Sequence, residues 1–297
     1  MERSDFIRRL VSMSLITSLF PLRSLESLAA GASTERMPLL FVGHGSPMNA
    51  IEDNRFTQNW RQIAQKLPKP TAILCISAHW ETRGSWVTAM EQPKTIHDFG
   101  GFPQALFDAQ YPAPGSTWLA EATQTALQPA LVGADTEHWG LDHGTWSILK
   151  PMFPEADVPV VQLSLDRNLN GEGHYRLAQS LKTLRRKGVL IIGSGNMVHN
   201  LRLMQPLGGN LNAEHGLGWA KEAGELFNKL IRERRHSELS NFRNLGSAVQ
   251  LAIPTPEHFL PLLYVLALQE KDEEAQFFND QYIAGSLNMT SLLFGQD

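Results

Sequence analysis

The chemistry of this chain is legible first in its histidines. There are 10 of them against a single cysteine, Cys75. His44 follows the apolar run Leu39-Leu40-Phe41-Val42 inside Gly43-His44-Gly45-Ser46-Pro47, where two glycines and a proline force a turn. His79 follows Ile73 to Ala78, and His199 follows Val189 to Ile192 through Gly193-Ser194-Gly195-Asn196-Met197-Val198. All three stand at strand ends, the edge on which α/β proteins build ligand sites. His258, in Pro254-Thr255-Pro256-Glu257-His258, opens the apolar run Phe259 to Leu268. The prolines fix the entry of a helix and place His258 in its first turn. One histidine after a strand is ordinarily a rim or packing residue, but four in such positions point to a shared metal site. Neutral imidazole is the commonest metal ligand and suits zinc and iron, and one cysteine cannot build a cysteine-rich site.

A fifth candidate, His143, lies in Trp139-Gly140-Leu141-Asp142-His143-Gly144-Thr145-Trp146. This stretch has the parts of an active-site loop: glycines for close approach, Asp142 to orient an imidazole, tryptophans to keep out water. It equally suits a Trp-rich packing turn. His97-Asp98-Phe99-Gly100-Gly101-Phe102-Pro103 suits either a structural loop or a substrate cover that lays Phe99 and Phe102 on an aromatic ring. His138, His174, His215 and His236, in helical or polar contexts, are expected at the surface.

The elements that must position these residues alternate. Pro38–Val42, Thr71–Ser77, Trp86–Met90, Pro159–Leu165 and Gly188–Ile192 read as buried strands. Phe56–Leu67, Ser116–Leu127, His174–Arg186 and Leu217–Arg234 carry apolar residues at helical spacing. Ser116 serves as an N-cap, and Gly188 follows a basic last turn as a stop. The alternation means an α/β fold, in one continuous domain over 37–297 because no linker interrupts it.

Residues 1–36 differ. A mixed-charge start with Arg3, Arg8 and Arg9 is followed by the apolar Leu10 to Phe20 and the small residues Ala29 to Ser33, the order of an export signal. Arg3-Ser4-Asp5-Phe6-Ile7-Arg8 resembles a degenerate twin-arginine leader, with Ser4 in place of the second arginine. A functioning leader would deliver the protein to the periplasm; otherwise it is cytoplasmic. No other run reaches the roughly 18 apolar residues of a membrane helix, so stable membrane association of the mature chain is not expected. With 26 Lys+Arg against 30 Asp+Glu and 42% hydrophobic residues, the chain is neither a disordered tail nor a basic nucleic-acid binder.

These motifs together resemble the class III extradiol ring-cleavage dioxygenases (LigB-like), most of all the 4,5-DOPA extradiol dioxygenase group. The residues that carry the resemblance are Gly43 to Asn49, Ser77-Ala78-His79-Trp80, His97 to Pro103, Gly140 to Gly144, Gly195 to Asn200 and Pro254 to His258. The resemblance implies one three-layer α/β/α domain with a central mixed sheet, and one non-haem divalent metal per chain, Zn2+ or Fe2+. Its reaction would open a catechol such as L-DOPA with O2 to a muconic-semialdehyde-type product. Carried over by position, His44, His79 and His258 would bind the metal. His199 would be a fourth ligand or the acid/base, and His143 a donor near bound oxygen or substrate. Better-known members of the class hold iron with two histidines and a glutamate, whereas here His258 takes the third position beside Glu257. A zinc-dependent hydrolase using the same histidines, a metal-scavenging protein, and a domain whose histidines only pack are the rival readings. Arg55, Arg83, Arg167 and Arg202 are candidate clamps for a substrate carboxylate. The oligomeric state is not legible.

Overall fold

The computed structural model describes residues 35–296, so the expected leader over 1–36 lies outside them except for Glu35 and Arg36. Ten strands are described: β1 (Leu39–Gly43), β2 (Ala72–Thr82), β3 (Ser85–Thr88), β4 (Val132–Asp135), β5 (Val160–Asp166), β6 (Val189–Gly195), β7 (Gln276–Phe278), β8 (Tyr282–Ile283), β9 (Leu287–Asn288) and β10 (Ser291–Phe294). Eight form one mixed sheet in the order β4-β3-β5-β2-β6-β1-β10-β7, and β8 with β9 forms a separate hairpin. The middle of the sheet, β5-β2-β6-β1, is parallel, and β10 and β7 extend it antiparallel.

The parallel strands are continuous apolar runs because both their faces are covered. Successive side chains leave a strand on opposite sides, so Leu39 and Phe41 pack into one core and Leu40 and Val42 into the other. The longer helices are α1 (Arg55–Lys66), α2 (Thr117–Ala126), α3 (His143–Met152), α4 (Gly171–Gln179), α5 (Gly218–Arg232) and α6 (Leu260–Ala267). Helices α1 and α3 cover one face, while α2, α4, α5 and α6 cover the other. This is the expected α/β/α sandwich.

Local signals act where they were read. Ser116 caps α2 through a 3.1 Å bond from Leu119 N–H. Asn54, which the sequence reading did not single out, caps α1, with Thr57 reciprocating. Helix α4 tightens into a 3-10 turn over Ser180–Lys187 and stops at Gly188, whose φ of 75° is left-handed. Three expectations fail. Only Trp139 to Asp142 of the Trp139–Trp146 stretch is a loop: Asp142 caps α3, and His143 is the first residue of that helix. His258 stands in a turn just before α6 rather than in its first turn. His174 is not at the surface: it is wholly buried, with Nδ1 3.0 Å from the Tyr264 hydroxyl. Strands β7 to β10 carried no sequence signal, being only two to four residues long.

Candidate metal centre

Strand pairing decides which histidines meet. Strand β6 lies between β1 and β2, so the carboxyl ends that carry His44, His79 and His199 adjoin. The backbone N–H of His44 donates to Gly195 O at 3.0 Å, and Asn196 N–H donates to His258 O at 2.8 Å, tying both to the end of β6. A Cβ at Gly195 would fall 2.1 Å from His258 O, so only glycine lets that turn approach. His79 sits within β2 where the register with β5 shifts between Ile76 and Glu81, an irregularity that re-aims a side chain.

All five candidate histidines converge. Ring centroids of His44, His79 and His258 are 5.0–5.3 Å apart. His143 lies 3.8 Å from His79, and His199 stacks on His258 at 3.5 Å with planes 6° apart. The potential ligand atoms of His44, His79 and His143 are mutually within 4.8 Å, as are those of His199, Glu257 and His258. His143 and His199 therefore flank the other three from two sides.

The hydrogen bonds assign tautomers. The Ser194 hydroxyl gives its one proton to Gly144 O at 2.5 Å, so it accepts from His44 Nδ1–H at 3.0 Å. His258 Nδ1–H donates to Glu257 Oε1 at 3.0 Å, and His79 Nδ1 faces Asp98 Oδ2 at 3.5 Å. His44 and His258 thus have a bare Nε2, and the Nε2 atoms of His44 and His79 lie 3.3 Å apart. At that distance the two nitrogens either share a proton, with His79 Nε2–H donating to His44 Nε2, or hold a cation between them. Two nitrogens each about 2.0–2.1 Å from a tetrahedral ion would be separated by about 3.3–3.4 Å, so the donors fit a metal.

Electrostatics agree. Burial and then neighbouring imidazoles push His44 and His258 well below the usual histidine range. Burial lowers His79 to about 3 and His199 to about 4. All four are therefore neutral at pH 7, the form that coordinates metal.

The carboxylate that orients the imidazoles is Asp98, not Asp142. Asp142 is spent on Ser77 Oγ (2.7 Å), Gln162 Nε2 (2.6 Å) and Thr145 N–H (3.1 Å). Asp98 Oδ1 accepts from His143 N–H at 2.9 Å, and its Oδ2 lies 3.0 Å from His143 Nδ1, although off the donor direction. Burial raises the Asp98 carboxyl, but His143 and then His79 outweigh it and leave it below the usual range. The only advance signal of Asp98 was a carboxylate in a loop rich in Gly and Phe; Ser194 gave none.

Above the histidines lies a cavity of about 420 Å3, lined by Phe99, Phe102, Leu201, Met204, Leu211, Ile283 and Leu287, with Asp98 and all five histidines. The His97–Pro103 stretch thus does bring Phe99 and Phe102 to the pocket. The tryptophans do not wall it: Trp146 is buried and bonds Ile96 O, and Trp139 stacks on Trp80. None of Arg55, Arg83, Arg167 and Arg202 lines it.

Residues 38–292 match the family model described as the catalytic LigB subunit of aromatic ring-opening dioxygenase. The chain is 44% identical over 271 residues to a 4,5-DOPA dioxygenase extradiol of Escherichia coli K12, covering 89% of this chain and 96% of that one. It is 37% identical over 263 residues to a protein of the same name from Beta vulgaris, covering 86% and 95%. A crystal structure of an uncharacterized Escherichia coli K12 protein superposes with a TM-score of 0.74 at 39% identity, covering 88% of this chain and all of the other.

Proposed function

The chain belongs to the family of the catalytic LigB subunit of aromatic ring-opening dioxygenases, and from that premise we propose a metal-dependent extradiol cleavage. Its substrate is a catechol, such as the DOPA of its relatives' names. Both atoms of O2 enter the product, which is of the muconic-semialdehyde type. The observation that carries this reading is the convergence of neutral imidazoles, with the Nε2 atoms of His44 and His79 3.3 Å apart, under an aromatic-walled cavity.

His44, His79 and His258 would hold the ion. When bound, Fe2+ supplies the electron relay that lets a diol react with O2, whereas Zn2+ suits the same donors without redox chemistry. The residues supply the rest. Neutral His199, beside the pocket, takes a hydroxyl proton from the catechol. The anionic diol formed beside it raises its proton affinity, which prepares it to give the proton back. His143, held by Asp98, is the second donor for ring opening. Phe99 and Phe102 lie edge to face, 5.4 Å apart, and keep the ring in place and water out.

The test is anaerobic reconstitution of a chain starting at Met37 with Fe2+, followed by L-DOPA and oxygen. Stoichiometric O2 uptake with a new visible band, both lost in His44→Ala, is expected. One bound metal per chain with no uptake on several catechols would instead favour a zinc hydrolase.

We also propose export to the periplasm through 1–36. Arg36 pairs with Asp272 at 2.8 Å and with Glu273 at 3.0 Å, which favours removal of the leader before that residue. Protein from the native host should begin between residues 31 and 37; an intact Met1 or Glu2 would count against export.

A further inference from the structure

His44, His79 and His258 do not lean on equal partners. His44 Nδ1–H donates to the uncharged Ser194 hydroxyl, and His79 Nδ1 stands 3.5 Å from Asp98, a carboxylate it shares with His143. His258 has a carboxylate to itself, its Nδ1–H donating to Glu257 Oε1 at 3.0 Å. The same oxygen accepts from the Thr255 hydroxyl at 2.8 Å, which holds it in place. Among the described residues, Glu257 pairs with no lysine or arginine: His258 is its one ion-pair partner, although the Glu257 side chain is only 20% exposed.

Charge gives that carboxylate a purpose. The imidazoles of the site are neutral, so a divalent ion brings two positive charges that its ligands leave uncompensated. Asp98 and Glu257 are the two carboxylates in contact with the five imidazoles, and together they balance it. Burial lowers the proton affinity of His79 and His199, and the Glu257 charge opposes that at both, so its field crosses the site. A carboxylate that accepts from the far nitrogen of a ligating imidazole also makes the near nitrogen a stronger donor. We propose that Glu257 is a positioning residue that acts through His258: it fixes the His258 tautomer, strengthens the hold on the ion and favours the higher oxidation state of iron. The inference rests on the metal centre of the function above, not on ring opening.

The experiment compares the iron-loaded protein with Glu257→Gln, whose amide oxygen can still accept from Thr255 and His258, so that shape is kept and charge is lost. Chelator competition should show Fe2+ and Zn2+ held about 10- to 100-fold more weakly. Redox titration under argon should place the Fe3+/Fe2+ couple at a more positive potential than in the parent, because the lost charge favoured Fe3+. Glu257→Asp keeps the charge and should recover part of both effects. Glu81 lies close enough for its charge and that of Glu257 to repel, but it pairs with Arg167 at 4.0 Å. Glu81→Gln should therefore change metal affinity by less than about threefold, as befits a surface charge. An unchanged potential and affinity in Glu257→Gln would overturn the proposal, as would complete loss of metal, which would make Glu257 a ligand. Effects of equal size in Glu81→Gln would overturn it too. Oxygen uptake by the parent with L-DOPA is read separately: none, with both Glu257→Gln effects present, would refute ring opening and leave the role of Glu257 standing.

Discussion

His199 and Asp98 have roles that single substitutions separate. His199 stacks on His258, and its potential ligand atom groups with those of Glu257 and His258. His199→Gln should keep one metal per chain and lower kcat by about 10²–10⁴, the range for loss of a general acid or base. A variant that loses its metal would make His199 a ligand. Asp98 works through other groups, since its Oδ2 faces both His143 and His79. Asp98→Asn preserves shape but removes the charge that faces His143 and His79. Metal affinity should fall about 10- to 100-fold, read by competition with a chelator. The histidines were legible because each sits at a run of apolar residues broken by Gly or Pro. Asp98 was not, because a carboxylate in a loop acquires meaning only from what packs against it.

Helix α3 and strand β2 meet at a glycine. A Cβ on Gly144 would lie 2.5 Å from Ser77 Oγ and 2.7 Å from His79 Cδ2. Alanine favours a helix over glycine by about 1 kcal/mol, but here the added methyl must displace the His79 ring. Gly144→Ala should therefore fold and yet bind metal at least tenfold more weakly, measured by the same chelator competition. Helices α4 and α6 meet at His174 and Tyr264, a contact remote from the metal site. Burial holds His174 at about 4, so the folded state keeps it neutral. Between the unfolded value of about 6.5 and the folded value of about 4 the unfolded chain binds the extra proton, and stability falls as pH falls. Its contribution is complete above pH 6.5, and about 3 kcal/mol is lost by pH 4. Urea midpoints of His174→Gln should show that much less acid sensitivity than the parent; equal slopes would exclude His174 as the source.

The whole molecule is closed by its ends. The sheet continues past β1 through β10 and β7, strands from the last 22 residues, so the two ends of the fold pair with each other. Fully buried Arg185 donates to the Glu273 carboxylate, to Met37 O at 2.8 Å and to Leu268 O at 3.0 Å. Arg36 reaches Glu273 as well. Glu273→Gln leaves the Arg185 charge buried without its partner and should cost about 3–5 kcal/mol in urea unfolding. A loss under 1 kcal/mol would show that the backbone carbonyls suffice.

The sequence by itself determined the α/β class, the five central strands with their flanking helices, and the five histidines. Apolar periodicity, caps and Gly/Pro punctuation are local, and each element carries its own signal. Tertiary structure alone decided that β6 lies between β1 and β2, which turns three separate strand ends into one rim. It also decided that His143 begins a helix, that Asp98 rather than Asp142 faces the imidazoles, and that leucines line the cavity. These depend on residues far apart in the chain, such as Asp98 with His143 and Gly195 with His258, and short β10 and β7 form because β1 offers an edge to pair with. Pairing energies of that kind are absent from any local stretch of sequence, which is why they could not be read there.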